Sequence, residues 1–511
     1  MNPQIRLVGV GLIVLFVGLF AQLNYLQVFH ASALDAKPQN SRRIIKEYDS
    51  PRGNIVSADG TLLAYSKPVN SNFKYQRVYP QGSLFGQITG FFSFTYGSDG
   101  AEKTYDRVLT GATSQFNLPT SLKGLENELA NSNKAQNIIL TLSTKLQTVA
   151  AKALGNRVGS VVALDPKTGA ILAMYSSPTF DPNLLSSTSQ AQATQNYQSL
   201  VHAPGNPLSS GAYRNRFPPG STFKMLTASA VYDRDPSLAT KNYPVSSGLP
   251  LPDTKGQTLN NFAGERCGGQ LLEDFTVSCN SAFGAIGLDL GAQNLAAEAR
   301  AFGFDQTPPL DLPAVAQSYF PPASSFAQNP PALAKSAIGQ ENVAATPLEM
   351  ALVAGGLANG GAIMVPHILA RVTNSQNQVV STFQPSTWLN ATSGQTAAQM
   401  ATLMQSVVYS ANGTGVAVQI PGIRVAGKTG TAQTGTGTID AWFASFAPVS
   451  NPTIAVGVLV ENQPAGNQYQ GGTIAAPIAK AMLEADLSGG GTAPAGGAPA
   501  GATTTTTAPR L

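Results

Sequence analysis

An α+β fold, with an antiparallel sheet assembled from both ends of one unit and packed on a helical cluster, is predicted by three stretches of this sequence. Two β-like runs, Val158 to Leu164 and Ala170 to Tyr175, meet at a Pro166-Lys167-Thr168-Gly169 turn and read as a hairpin. Three more runs, Arg424 to Gln433, Ala441 to Phe446 and Thr453 to Val460, lie past Ile423 with Gly, Pro and Asn between them. From about Arg216 to Ala358, helical periodicity alternates with Pro- and Gly-rich loops. Strands at both ends with helices between them make one layered unit.

The 511 residues leave room for two or three domains, at roughly 100 to 200 residues each. Leu7 to Phe29 carries no charge and has the length of a membrane span, with residues 1–6 as a short cytoplasmic end. Ala31-Ser32-Ala33 resembles a signal-peptide cleavage site, but signal cores usually run about 7 to 15 residues, so a retained anchor is the favoured reading. Arg6 before the span and Lys37, Arg42, Arg43 and Lys46 after it leave the orientation open. The absence of a cysteine near the N-terminus excludes a lipid-modified anchor. Residues 31–137 mix short apolar runs with Gly, Asn and Ser and read as a small, irregular, non-catalytic domain. Residues 138–487 form the main unit, with a helix in Leu142 to Leu154 near its start and a helix in Ala475 to Ala485 at its end. Residues 489–511, almost entirely Gly, Ala, Thr and Pro, cannot bury enough surface to fold and read as a disordered tail.

Composition removes several function classes. Charged residues make up 11% of the chain, against roughly 25% in an average soluble protein. The net charge of +4 is scattered rather than gathered into a patch, so nothing asks for nucleic acid. Cys267 and Cys279 have no second pair with which to build a tetrahedral metal site. Spacing alone leaves a small disulfide loop and two buried thiols equally open. His30, His202 and His367 are scattered, without His-Glu-x-x-His spacing, and read as structural; no metal or cofactor is implied.

Three short motifs carry chemistry. Ser221-Thr-Phe-Lys224 follows a Pro-Pro-Gly loop and is expected to open a helix. Spacing of three places Ser221 and Lys224 one turn apart on one face, where a neutral lysine could take the hydroxyl proton. Burial beside another cation would lower that lysine's pKa, and the helix N-terminus offers N–H groups to an oxyanion. Ser278-Cys279-Asn280 precedes the helical run Ser281 to Leu290 and presents a hydroxyl and an amide. Lys428-Thr429-Gly430-Thr431 lies on a late strand, where a cation and two hydroxyls could bind a carboxylate and Gly430 admits a close backbone approach. Each motif has a decoy: Ser71-Asn-Phe-Lys74 in an extended stretch, Ser410-Ala-Asn412, and Lys167-Thr168-Gly169 in the hairpin turn. Each site motif also has an ordinary reading as a cap or surface segment. It is the three in this order, on helix, loop and strand, that are specific.

In that order the chain resembles the penicillin-binding proteins, serine D,D-transpeptidases that share their fold with serine β-lactamases. The likeness spans about residues 138 to 487 and includes Gly169-Ala-Ile-Leu-Ala-Met174, Ala337-Ile-Gly-Gln340, Thr346-Pro-Leu348 and Ala441-Trp-Phe443. Upstream, Arg52-Gly-Asn-Ile55 and Asp59-Gly-Thr-Leu-Leu-Ala64 look like the first motif of the class B, monofunctional branch, without its usual Asp-Arg pair. Tyr65 and Arg77-Val-Tyr-Pro80 make the N-terminal domain, of dimerisation or pedestal type, most similar to the actinobacterial penicillin-binding protein A group.

The resemblance implies that Ser221 attacks the penultimate D-alanine carbonyl of a wall stem peptide, with Lys224 as base and Ser278 and Lys428 relaying the proton to the leaving amine. It assigns the oxyanion hole to the N–H groups of Ser221 and Thr431, peptide orientation to Asn280, and the terminal carboxylate to Thr429 and Thr431. β-Lactams would inhibit covalently, a separate glycosyltransferase is an expected partner, and the catalytic domain would lie outside the cytoplasm on a single-pass anchor. That compartment permits a Cys267–Cys279 disulfide bracing the Ser278 loop. A β-lactamase would share the motifs, but the Glu-x-x-Leu-Asn segment of one large class is missing between Ser278 and Lys428. A D,D-carboxypeptidase stays open. A β-lactam sensor would need a signalling domain across the membrane, and a non-catalytic scaffold would not need all three motifs.

Overall fold

The computed structural model describes residues 3–26, 48–111 apart from Asn72, and 134–488 apart from Thr436, Asn467 and Tyr469. The end of the expected span, Ala31-Ser32-Ala33, His30, the cations from Lys37 to Lys46, part of the 31–137 stretch and the 489–511 tail lie outside the described residues. A helix over Pro3–Asn24 buries none of its residues and is long and apolar enough to cross a membrane, by length and composition.

The main sheet has five antiparallel strands in the order Ala426–Gln433, Thr438–Ala447, Ile454–Pro464, Gly159–Leu164 and Ile171–Ser177. The two ends of the unit therefore meet at the pairing of Ile454–Pro464 with Gly159–Leu164, the arrangement expected from the sequence. Strand alternation sorts the side chains. Val161, Ala163, Val456, Val458 and Val460 pack with Leu146, Leu154, Ile478 and Met482 of the helices Thr144–Leu154 and Ala476–Leu487. Val162, Leu164, Ala455 and Leu459 belong to the cluster that includes Met225, Phe283, Leu348 and Ala351. Both faces are covered, which is why these strands read as nearly continuous apolar runs. At Gly457 a Cβ would lie 2.7 Å from the Pro347 carbonyl oxygen, so only glycine lets the helix Pro347–Ala358 settle on the sheet.

A second sheet could not be read from local pattern. Its order is Val379–Thr382, Leu369–Thr373, Asn137–Leu140, Ile55–Val56, Leu62–Pro68 and Tyr75–Val78. Strands from either side of position 138 thus join in one sheet across Asn137–Leu140, to which Ile55–Val56 runs parallel. Asp59, in the segment that lacks the usual Asp-Arg pair, accepts from the Thr144 N–H (2.7 Å) and hydroxyl (2.9 Å), so it meets the N-terminus of Thr144–Leu154.

Beneath this sheet lies a buried ion cluster. Arg52 Nε donates to Glu102 Oε2 (3.1 Å) and Arg77 Nε to Glu102 Oε1 (2.5 Å), while Tyr79 Oη reaches Oε1 at 3.2 Å. Arg52 also bridges to Asp106 (2.8 Å) and lies over the Phe92 ring. Glu102 is wholly buried and faces two buried guanidinium groups, so its removal leaves both without their shared carboxylate. Glu102→Ala is expected to cost about 3–5 kcal/mol in urea unfolding monitored by circular dichroism. A loss below about 1 kcal/mol, the size of a surface pair, would contradict this account.

Candidate active site

The serine turn is held from two sides. Ser221 lies in a 3₁₀ turn, Gly220–Phe223, that runs directly into the helix Lys224–Arg234, a tighter start than the helix expected at Ser221. Gly220 has φ +53° and donates its N–H to the Gly339 carbonyl (2.9 Å). Gly339, at φ +71°, sits so close that a Cβ would fall 2.2 Å from Gly220 O and 2.7 Å from Phe223 Cβ. From the sheet side, a Cβ on Gly430 would meet Pro219 O, Thr222 Cγ2 and Trp442 Cβ, each at 2.9 Å. The close backbone approach at Gly430 is thus made by the protein's own serine loop.

The Ser278 loop meets the two lysines. Lys224 Nζ donates to Ser278 O (2.7 Å), Asn280 Oδ1 (2.8 Å) and Ser278 Oγ (3.3 Å). Lys428 Nζ reaches the same Ser278 Oγ at 2.8 Å and its neighbouring Thr429 carbonyl at 3.1 Å. Among the described residues no hydrogen bond joins Ser221 Oγ to Lys224; without substrate, catalytic contacts are often long. Phe283 lies under Lys224 (5.2 Å) and Phe275 under Lys428 (5.5 Å), offering each cation an aromatic face. Ser278 itself is held at φ +59°, a sparsely populated conformation for a non-glycine residue. Its turn is closed by Cys279 N–H to Asp274 O (2.8 Å) and braced by the Cys267–Cys279 disulfide, Cα atoms 5.8 Å apart. Asn261 Oδ1 accepts from Ser281 N–H (2.7 Å), tying a second loop to the same helix start.

Electrostatics sets the two lysines apart. Both are wholly buried. Burial, then the Lys428 charge, holds Lys224 well below the usual lysine range, against an upward pull from Asp274. Burial alone brings Lys428 down to about 7. Asp274 was missed in the sequence. It lies on the helix Leu271–Thr276, fully buried, with neither carboxylate oxygen hydrogen-bonded, and burial raises it to about 7. Its one signal was a charge on the buried face of that helix, four residues before Ser278.

A cavity of about 550 Å³ is lined by Ser221, Asn280 and Thr431 together with Asn260, Gln340 and Gln433. Thr429 is buried instead, its Oγ1 2.6 Å from Thr414 Oγ1. A serine beside a lysine of low pKa, with a hydroxyl shared by two amines, can form and break an acyl ester.

The chain matches the penicillin binding protein transpeptidase domain over residues 159–484 and the penicillin binding protein A dimerisation domain over residues 52–134. It is 38% identical over 503 residues to the peptidoglycan D,D-transpeptidase PbpA of Mycolicibacterium smegmatis, covering 95% of this chain and 99% of the relative. The chain belongs to the penicillin-binding proteins. The PbpA of Mycobacterium tuberculosis is 37% identical over 96% of this penicillin-binding protein and 100% of the relative. A solved structure of M. tuberculosis penicillin-binding protein A, as a ceftriaxone acyl-enzyme complex, superposes with TM-score 0.77 at 35% identity, covering 87% of this chain and 100% of that one.

In this penicillin-binding protein the decoy motifs fall elsewhere. Exposed Lys74 pairs with Asp49, Lys167 reaches Asn451, and Ser410 ends the helix Gly394–Tyr409. His202 bonds the Gln198 carbonyl on an exposed helix end, and His367 is buried, stacked on Phe383. Gly339→Ala is expected to displace the Ser221 turn and to slow acylation of that serine by an activated acyl ester by about 10²-fold, as misplacements near 1 Å do. A wild-type rate in a folded variant would show that the turn does not depend on this contact.

Proposed function

We propose that this chain is a peptidoglycan D,D-transpeptidase that cross-links stem peptides through an acyl-enzyme on Ser221 and that β-lactams inhibit covalently. The observation that carries the reading is the meeting of Lys224 and Lys428 on the Ser278 hydroxyl, beside the Ser221 turn. In the first step neutral Lys224 takes the Ser221 proton as Oγ attacks the D-alanyl carbonyl. The N–H groups of Ser221 and Thr431 receive the oxyanion. The peptide C–N bond then breaks, and the proton passes through Ser278 and Lys428 to the departing D-alanine amine. Asn280 orients the peptide, and Thr431 in the cavity wall holds the terminal carboxylate, with Thr429 buried behind it and Gly430 keeping the strand close to the serine loop. In the second step an amine of a neighbouring stem displaces Ser221 and restores the hydroxyl.

The relatives named above, with their transpeptidase names and acyl-enzyme structure, support this reading. We assign residues 7–29 to a membrane anchor, 31–137 to a non-catalytic N-terminal domain, 138–487 to the transpeptidase domain and 489–511 to a tail. The exposed apolar helix and the disulfide beside the site suit a single-pass protein whose catalytic domain lies in an oxidising, extracytoplasmic compartment. A glycosyltransferase supplying glycan strands is the partner this activity requires.

The test is intact-protein mass spectrometry of the full chain in detergent with penicillin G, wild type against Ser221→Ala, followed over hours. A stoichiometric adduct that persists, and that the variant lacks, is the expected result. An adduct gone within seconds would mean a β-lactamase, and no adduct on folded protein would mean a scaffold.

A further inference from the structure

The cavity over Ser221 has an uneven charge. Amides and hydroxyls form much of its wall, and Lys224 lies behind that wall, bonded to the lining Asn280. Among the described residues lining it, only Lys335 and Glu341 are charged, and they pair at 3.3 Å with about a third of each side chain exposed. An exposed pair of this kind stabilises a fold little. Yet Glu341 is held at φ +62°, a conformation that costs a non-glycine residue and that recurs where function requires it. It stands two residues beyond Gly339, whose carbonyl anchors the serine turn, so its backbone is fixed relative to Ser221.

The second half of the proposed reaction brings an amine into this cavity. In bulk water that amine is mostly an ammonium, and Glu341 is the one carboxylate among the described residues lining the cavity. As the neutral nitrogen attacks, it also becomes positively charged before losing a proton. We propose that Glu341 selects the amine acceptor, drawing the amine-bearing stem into the cavity and stabilising the positive charge that develops on its nitrogen. Lys335 competes for the same carboxylate and is displaced by the acceptor. The nitrogen forms the new amide bond, the ester C–Oγ bond breaks, and one amine proton returns to Ser221 Oγ. This rests on the transpeptidase reading and names the substrate group that the wall recognises.

The experiment uses the full-length protein in detergent, a D-Ala-D-Ala-terminated peptide as donor, and a short peptide with a free side-chain amine as acceptor. The ratio of amide to hydrolysed product is read by liquid chromatography and mass spectrometry. Both products leave the same acyl-enzyme, so the ratio does not depend on how fast that intermediate forms. Glu341→Gln is expected to lower the ratio about tenfold, and Lys335→Ala to raise it, because one removes the attracting charge and the other its competitor. Glu341→Asp should recover part of the loss. Glu341→Gly relieves the left-handed backbone and guards against misfolding; it should lose the ratio as the Gln variant does. An unchanged ratio in the Gln and Gly variants, or a shift of the same sign in Glu341→Gln and Lys335→Ala, would overturn the assignment. Hydrolysed product without any amide in the wild type would instead overturn the transpeptidase reading on which it rests.

Discussion

Two lysines, each removed from water, converge on a single hydroxyl, and most of what surrounds them follows from the difficulty of keeping them there. Unit charges about 4–6 Å apart at a protein-like dielectric repel by roughly 3–4 kcal/mol, on top of the cost of burying each ammonium. The least costly solution is to shed a proton from one of them. Lys224, lowered by burial and by the charge of Lys428, is the one that yields. An amine of lowered pKa one turn from Ser221 is the reagent acyl transfer needs, so the electrostatic problem and the proposed catalytic device have one origin.

That arrangement demands a rigid frame. Ser278 must face both amines at once, which places it at positive φ in a turn closed by Asp274 and locked by Cys267–Cys279. Ser221 must stay against the Lys428 strand, which is why Gly339 and Gly430 carry no side chain where the loop crosses them. The five-stranded sheet, buried on both faces, fixes the strand, and the helical cluster fixes the lysine helix. Farther out, Glu102 clamps Arg52 and Arg77 in the N-terminal part, and the shared six-stranded sheet couples that part to the catalytic unit.

Much of this was legible before any coordinates. The hairpin at Pro166–Gly169, the late strands and the helices beginning near Thr144 and Asn280 are written in periodicity and turn residues, and the three motifs stand out by their order. What was hidden is non-local. Ile55–Val56 pairs with Asn137–Leu140, and the latter with Leu369–Thr373, through contacts that no local pattern announces. Gly430 suggested room for a substrate, but a sequence cannot tell which backbone will fill the space, and here it is Pro219. Asp274 and Glu341 looked like ordinary charges; only burial for the first and backbone conformation with cavity placement for the second separate them from surface residues.

The central claim is that burial, with Lys428 beside it on Ser278, holds Lys224 well below the usual lysine range. Heteronuclear NMR of protein labelled at lysine Nζ, with Lys224→Arg and Lys428→Arg variants for assignment, reads this directly. The account predicts that Lys224 titrates well below the usual lysine range, that Lys428 titrates near 7, and that Lys224 moves when residue 428 is changed. Both side chains titrating together near the ordinary value of about 10.4 would contradict it.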